Sequence, residues 1–422
     1  MLDQTKNLYQ LNRNKLYAEL PENSLLILQS NVKYPFKGDQ YFQFNQDTNF
    51  FYLTGLNYPN ISLIVEYKNK SSIEEILYIP KESKEKIIWE GAGITIPIAE
   101  EISCISDIRY TEKWDEQLIR IIEKQKNIFL DFEETENPIF KYKNNFLQKC
   151  RKDFPTIHFK NICPHLNKIR LIKSQQELLF IKEAINITKA AFLDLSGIIK
   201  PGLKEYEIEA YLDYLFKIKN SSGHAFYPIV ASGKNACTLH YTKNNGELNK
   251  NDLVLIDFGA SYNQYASDCT RTLPVNGKFN NRQTEVYNHV LDIFKRARGL
   301  IKPGISIKEI NVKVENWMSE AHMNLKLYTK NELENNALLI KKYFPHGIGH
   351  FMGLDVHDVG DREIVLQPGM VLTCEPGIYI PEEGLGIRLE NDILVTENGY
   401  KDLMEEIPIE LEDIEKLIQN KY

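Results

Sequence analysis

Four carboxylates in two pairs are the residues of this 422-residue chain best placed to do chemistry: Asp257 with Asp268, and Glu375 with Glu390. Asp257 ends the apolar run that starts at Leu253, and Asp268 follows Ser261-Tyr-Asn263, a turn-like segment. The midpoint of this pair falls between Tyr262 and Asn263. A hairpin folded there sets the two carboxylates directly opposite each other, with Cβ atoms ~4.5–5.5 Å apart. Glu375 and Glu390 repeat the pattern about Pro381-Glu-Glu-Gly384, a strong turn signal. Four acids on one buried face repel one another by roughly several kcal/mol, and desolvation adds to the cost. Arg271 and Arg388 lie nearby in sequence, but two arginines cannot neutralise four acids. Divalent cations can, and hard oxygen ligands with one or two imidazoles suit manganese, iron, cobalt or zinc. Two such ions ~3.5–4 Å apart, bridged by carboxylates, form a hydrolytic centre. A single Asp or Glu is most often a solvated turn residue, which does not account for two symmetric pairs. Side chains alternate across a strand, so if Asp268 and Glu375 face metals, Cys269 and Cys374 face the core.

His346, His350 and His357 are three of the nine histidines and lie within one twelve-residue stretch. His346 and His350 have the four-residue spacing of a helical zinc pair, but HExxH is absent and Gly347-Ile-Gly349 argues against regular helix. The same glycines do not make a dinucleotide loop, since their spacing is wrong and no Rossmann unit surrounds them.

The elements that must position these groups form a duplicated pattern. Gly197-Ile-Ile-Lys-Pro-Gly-Leu203 recurs as Gly299-Leu-Ile-Lys-Pro-Gly-Ile305, each after an amphipathic helix and before another. Leu253-Val-Leu-Ile-Asp257 resembles Met370-Val-Leu-Thr-Cys-Glu375, and a histidine precedes each acid by 17 or 18 residues, His240 and His357. Each half therefore reads helix, helix, histidine, acid-bearing strand, and the site is expected where the halves meet. Upstream, β-rich runs at Leu25 to Leu28, Ile61 to Tyr67, Ile76 to Ile79 and Ile128 to Leu130 alternate with amphipathic helices, one carrying Trp114, Leu118 and Ile122. This predicts a small α/β domain over 1–165 and a second domain over 166–422. The capping-box spacing Ser174-Gln-Gln-Glu177 opens the first helix of the second domain, with Leu178, Ile181, Ile185, Phe192 and Leu195 on its apolar face.

Composition narrows the partners. Lys and Arg total 51 against 58 Asp and Glu, a net charge of -7, which disfavours nucleic acid or an anionic membrane as the main partner. The longest pure apolar runs are far short of the ~20 residues that span a bilayer. Met1 to Lys15 lacks the apolar core of a signal peptide. Six widely spaced cysteines without a CxxC suit reduced thiols. A cytoplasmic location is expected.

The segments Ile229 to Tyr241, Leu253 to Phe279, His346 to Gly360 and Gln367 to Asp392 resemble, in order, the signature blocks of aminopeptidase P. That family belongs to the pita-bread-fold dimetal peptidases, with prolidase, creatinase and methionine aminopeptidase. Tyr41 to Val65 and Ile88-Trp-Glu-Gly91 resemble its N-terminal domain, so the likeness spans nearly the whole chain. The fold it implies is α+β and α/β: a small N-terminal α/β domain followed by a C-terminal pita-bread domain with a pseudo-twofold axis.

The resemblance implies that Asp257, Asp268, His350, Glu375 and Glu390 hold two divalent ions, most simply Mn2+. Asp257 would serve one ion, His350 and Glu375 the other, and Asp268 and Glu390 would bridge. The implied reaction is hydrolysis, by a bridging hydroxide, of the N-terminal Xaa-Pro bond of peptides with proline in second position. Glu375 is then the proton carrier, His357 and His240 meet the carbonyl and the developing oxyanion, His346 lines the substrate site, and Arg388 holds the ligand carboxylates. Asn49 stands where many such enzymes have an aspartate. Trp89 matches a tryptophan that can reach a neighbouring subunit, which points to a homo-oligomer, dimer or tetramer; a core tryptophan is the other reading. Prolidase, limited to Xaa-Pro dipeptides, shares the ligand set, and metal-free pita-bread binding modules exist but have lost ligands that are all present here.

Overall fold

The apolar run Leu25 to Leu28 lies near the middle of a six-stranded sheet. Its order is Asp107–Tyr110, Ser72–Ile79, Ser62–Asn69, Ser24–Gln29, Asn127–Leu130, Phe159–Asn161. The structure, a computed structural model, describes residues 7–123, 125, 127–133 and 141–419. Of the domains expected from the sequence, residues 1–6, 124, 126 and 134–140 of the first and 420–422 of the second lie outside these. Ser24–Gln29 pairs antiparallel with Ser62–Asn69 and parallel with Asn127–Leu130. Leu25 and Ile27 pack with Leu118, Ile122 and Leu147, carried by helices Trp114–Ile122 and Lys141–Asp153. Leu26 and Leu28 point to the opposite face and are equally buried, which is why this strand reads as a continuous apolar run without alternation. The sheet belongs to one compact unit, Met1–Ile169; the second unit is Arg170–Tyr422.

The second unit is built twice. Helices Gln175–Leu195 and Glu205–Ile218 lead into a three-stranded sheet in which Leu253–Phe258 lies between Ile229–Ser232 and Cys269–Pro274. Helices Asn281–Arg298 and Ile307–Asn324 lead into another, in which Asn391–Thr396 lies between Val371–Cys374 and Gly399–Asp402. The capping box of Ser174 and Glu177 opens the first helix. The duplication extends to individual hydrogen bonds. In the first half Gly202 N–H donates to Leu248 O and Leu248 N–H to Leu203 O; in the second Gly304 N–H donates to Leu366 O and Leu366 N–H to Ile305 O. Isolated bridges, Lys204 with Glu247 and Ser306 with Val365, continue both. Chance similarity between two Lys-Pro-Gly segments would not reproduce their distant backbone partners. Among the described residues no helix is long and apolar enough to cross a membrane.

The first hairpin departs from the expected register. Asp257 pairs with Thr270, and Tyr262 with Tyr265. The turn is centred one residue later than the sequence midpoint, on Asn263 and Gln264, whose left-handed φ of 48° and 68° suit a tight two-residue turn matched to strand twist. Moving the register by two residues keeps every side chain on its face. Asp268 therefore stands diagonal to Asp257 on the same face, not directly opposite. Gly259 permits this close pairing, because a Cβ there would lie 1.7 Å from Ser267 O. In the second hairpin Cys374 pairs with Asn391 and Gly377 with Arg388, so Glu375 and Glu390 do face each other. Cys269 and Cys374 are fully buried.

Candidate metal centre

The histidine segment reaches the acids by lying along the strand Val371–Cys374. Thr373 N–H donates to His350 O at 2.9 Å, and Glu375 N–H donates to Ile348 O at 2.9 Å. His350 N–H donates to Thr373 Oγ1 at 3.1 Å. There is no room for a side chain at Gly349, where a Cβ would lie 2.2 Å from Thr373 O. Gly349→Ala is expected to push the segment off the strand, costing about 1–3 kcal/mol of stability; an unchanged thermal midpoint would contradict this packing.

One ligand atom from each of Asp268, His350 and Glu390 lies within 4.8 Å of the other two. His350 Nε2 is 3.4 Å from Asp268 Oδ2 and 3.8 Å from Glu375 Oε1. His350 Nδ1 sits 3.0 Å from Phe351 O. A carbonyl only accepts, so Nδ1 carries the hydrogen and Nε2 turns its lone pair toward the acids. Burial holds the imidazole of His350 down to about 4, so it is neutral, as a ligand must be. Glu375 is pushed up to about 7, first by burial and then by the charge of Asp257. Burial, and then Glu390, push Asp268 well above the usual carboxylate range; burial, and then Glu375, do the same to Glu390. Asp257 Oδ1 is buried with no hydrogen-bond partner among the described residues. An orphaned carboxylate oxygen, crowded acids and an imidazole lone pair form a donor set that fits divalent cations.

Arg388 is buried and organises the acids from behind. Its Nη2 donates to Asp257 Oδ2 at 2.6 Å, its Nη1 to Tyr379 OH at 2.8 Å, and its Nε to Thr270 Oγ1 at 3.1 Å. Thr270 passes the contact on, donating to Glu390 Oε2 at 2.6 Å. His346 Nδ1 faces Gly347 O at 2.7 Å, so its Nε2 accepts from Tyr379 OH at 2.8 Å. Burial, with Arg388 next, holds His346 down to about 3. The His357 ring lies 4.1 Å from that of His350, centroid to centroid. The four acids, Arg388, His240, His346, His350 and His357 line a cavity of about 350 Å³ whose apolar walls include Phe226, Ile229, Leu239 and Val356. All nine residues singled out from the sequence therefore line one cavity: Asp257, Asp268, His350, Glu375, Glu390, His240, His346, His357 and Arg388.

Two further sequence candidates belong to the first unit. Asn49 is buried and donates to Asp131 Oδ2 at 3.2 Å. Trp89 is 82% exposed, which overturns its reading as a core residue. The sequence reading missed Thr270, Tyr379, Thr373 and Asp392, the last accepting the Asp268 N–H at 3.1 Å. Strand alternation would have found two of them, since Thr270 shares a face with Asp268 and Asp392 with Glu390.

Residues 180–397 match metallopeptidase family M24, and residues 9–129 match the aminopeptidase P N-terminal domain. The chain is 34% identical to the Xaa-Pro aminopeptidase of Haemophilus influenzae, over 98% of this chain and 97% of the relative. It is 30% identical to human Xaa-Pro aminopeptidase 3, over 97% of this chain and 85% of that protein. Its fold matches that of Escherichia coli aminopeptidase P solved with the inhibitor Pro-Leu, with a TM-score of 0.90, 30% identity and 98% of each chain covered.

Proposed function

The chain belongs to metallopeptidase family M24, in its aminopeptidase P branch, and from that premise we propose that it removes the first residue from peptides whose second residue is proline. It is a metal-dependent hydrolase of the exopeptidase type. The observation that carries the reading is the convergence of Asp268, His350 and Glu390 within 4.8 Å, beside Glu375, on a cavity large enough for a short peptide. Two divalent ions, most simply Mn2+, would be held by Asp257, Asp268, His350, Glu375 and Glu390. When bound, they supply a water acidified toward neutrality and polarise the scissile carbonyl.

The residues of the chain do the rest. Glu375, on the cavity wall beside His350, takes a proton from the nucleophile and returns it to the proline nitrogen as the bond breaks. His357 and His240, both on the cavity wall, hydrogen-bond the carbonyl and its developing charge. Arg388 fixes Asp257 directly and Glu390 through Thr270, and Tyr379 fixes His346. Proline offers no amide hydrogen and a fixed φ, so its peptide bond needs a dedicated site.

The same proposal divides the chain into an N-terminal domain, 1–165, and a catalytic domain, 166–422. It places the enzyme in the cytoplasm, as a homo-oligomer in which exposed Trp89 makes a subunit contact. Xaa-Pro dipeptides and Xaa-Pro-Xaa tripeptides assayed side by side test the substrate reading. Cleavage of tripeptides to free Xaa is expected; activity on dipeptides alone would assign a prolidase instead.

A further inference from the structure

Asp358 directly follows His357, yet its carboxylate is not among the groups lining the cavity and only 1% of its side chain is exposed. It sits in an ion cluster. Arg170 Nη2 donates to Asp358 Oδ1 at 2.6 Å and to Asp355 Oδ2 at 2.8 Å, and Lys173 Nζ donates to Asp358 Oδ2 at 2.9 Å. Arg170 and Lys173 are themselves 3% and 4% exposed. Taking such charges out of water costs roughly several kcal/mol per ion, so a buried cluster is weak evidence of stabilisation in its own right. Neither cation lines the cavity.

The backbone shows what the cluster holds. Asp358 N–H donates to Phe351 O at 2.8 Å, the same oxygen that receives the His350 Nδ1 hydrogen at 3.0 Å. Gly353, inside this loop, is tied on both sides: its N–H donates to Asp355 O at 3.0 Å, and its carbonyl accepts the Ala266 N–H at 2.8 Å. Asp358 thus closes a short ring of chain that holds both backbone partners of the His350 ring, Phe351 O and Val356. The backbone of Val356, in the same loop, also bonds the His350 ring, so only displacement of the loop as a whole would free the ring to take the Nε2–H form, which points a hydrogen at Asp268 where a lone pair is needed.

We propose that Asp358, clamped between Arg170 and Lys173, is a positioning residue. It fixes the Phe351 carbonyl, through it the Nδ1–H tautomer and ring orientation of His350, and it sets the adjacent His357 on the cavity wall. The inference rests on the reading of His350 as a metal ligand.

The test compares three variants of the full chain. Asp358→Asn keeps the volume and removes the charge, Lys173→Met removes one cation and leaves Arg170 paired, and Arg13→Met breaks the buried Arg13–Glu75 pair of the first unit, 2.7 Å, as a stability control. Each is followed by thermal unfolding, by Mn2+ titration calorimetry and by NMR of isotope-labelled histidine in the metal-free protein, with the His350 signal assigned from His350→Ala. Asp358→Asn is expected to weaken Mn2+ binding by about 10- to 100-fold and to remove the Nδ1–H signature of His350. Lys173→Met shifts both in the same direction by less, and Arg13→Met lowers only the thermal midpoint. Should Asp358→Asn fail to fold, Lys173→Met decides by the same two readouts. Wild-type affinity together with an unchanged His350 signature in the folded variants would reduce the cluster to a staple of the fold. Absence of Mn2+ binding by the wild-type chain would instead overturn the metal reading, while the tautomer in the metal-free protein still decides the clamp.

Discussion

Glu375→Gln will lower kcat on a Xaa-Pro-Xaa tripeptide by about 10²- to 10⁴-fold, the range expected when a positioned general acid–base is lost. Glutamine has the shape of glutamate and keeps one ligand oxygen, but it cannot carry a proton between nucleophile and leaving nitrogen. The same change removes one negative charge from a site where Glu375 and Glu390 are paired across the hairpin and each opposes ionisation of Asp268. The metal-free variant should therefore unfold at a higher temperature than the metal-free wild type, even though it is a poorer enzyme. This opposition of stability and activity is characteristic of a functional site. Full activity in Glu375→Gln would remove the residue from the reaction. An activity loss with a lowered metal-free midpoint would mean that the substitution damaged the fold instead.

Complete chelation will abolish hydrolysis, and Mn2+ will restore it while raising the thermal midpoint. The reason lies in the donor set: Asp268 and Glu390 are buried, His350 is neutral and turns a lone pair inward, and Asp257 Oδ1 has no hydrogen-bond partner among the described residues. Divalent cations satisfy all of these at once. For each site, ligand at 100 times its Kd adds about 2.7 kcal/mol to the folded state. Metal analysis of the reloaded protein should find two ions per chain. Less than one, or hydrolysis that survives chelation, would contradict the proposed centre.

Much of this site was legible from residue types and spacing, and the reason differs from group to group. Glu375 and Glu390 could be paired by arithmetic because Pro381-Glu-Glu-Gly384 marks its turn unambiguously, and the register is symmetric about it. The arithmetic failed by one residue at Asn263 and Gln264. Both Tyr262-Asn263 and Asn263-Gln264 read as turns, and only the left-handed φ angles of Asn263 and Gln264 distinguish them. The error was harmless to the chemistry, since a register change of two preserves the face. Arg388 shares a strand face with Glu390 and its charge opposes the acids, which singles it out; Thr270 and Asp392 obey the same alternation but carry no positive charge that would single them out.

What the sequence alone determined is the list of groups: four acids on two hairpins, a histidine cluster, a duplicated scaffold and a net charge that disfavours polyanionic partners. These follow from local periodicity and residue chemistry, which are properties of short stretches. What only the tertiary structure decided is which atoms meet. That His350 presents Nε2 depends on Phe351 O, that oxygen on Asp358, and Asp358 on Arg170 and Lys173 from a segment far earlier in the chain. Contacts between residues so distant in sequence leave no spacing to read, because their geometry is set by packing of the whole unit rather than by any repeat along the chain.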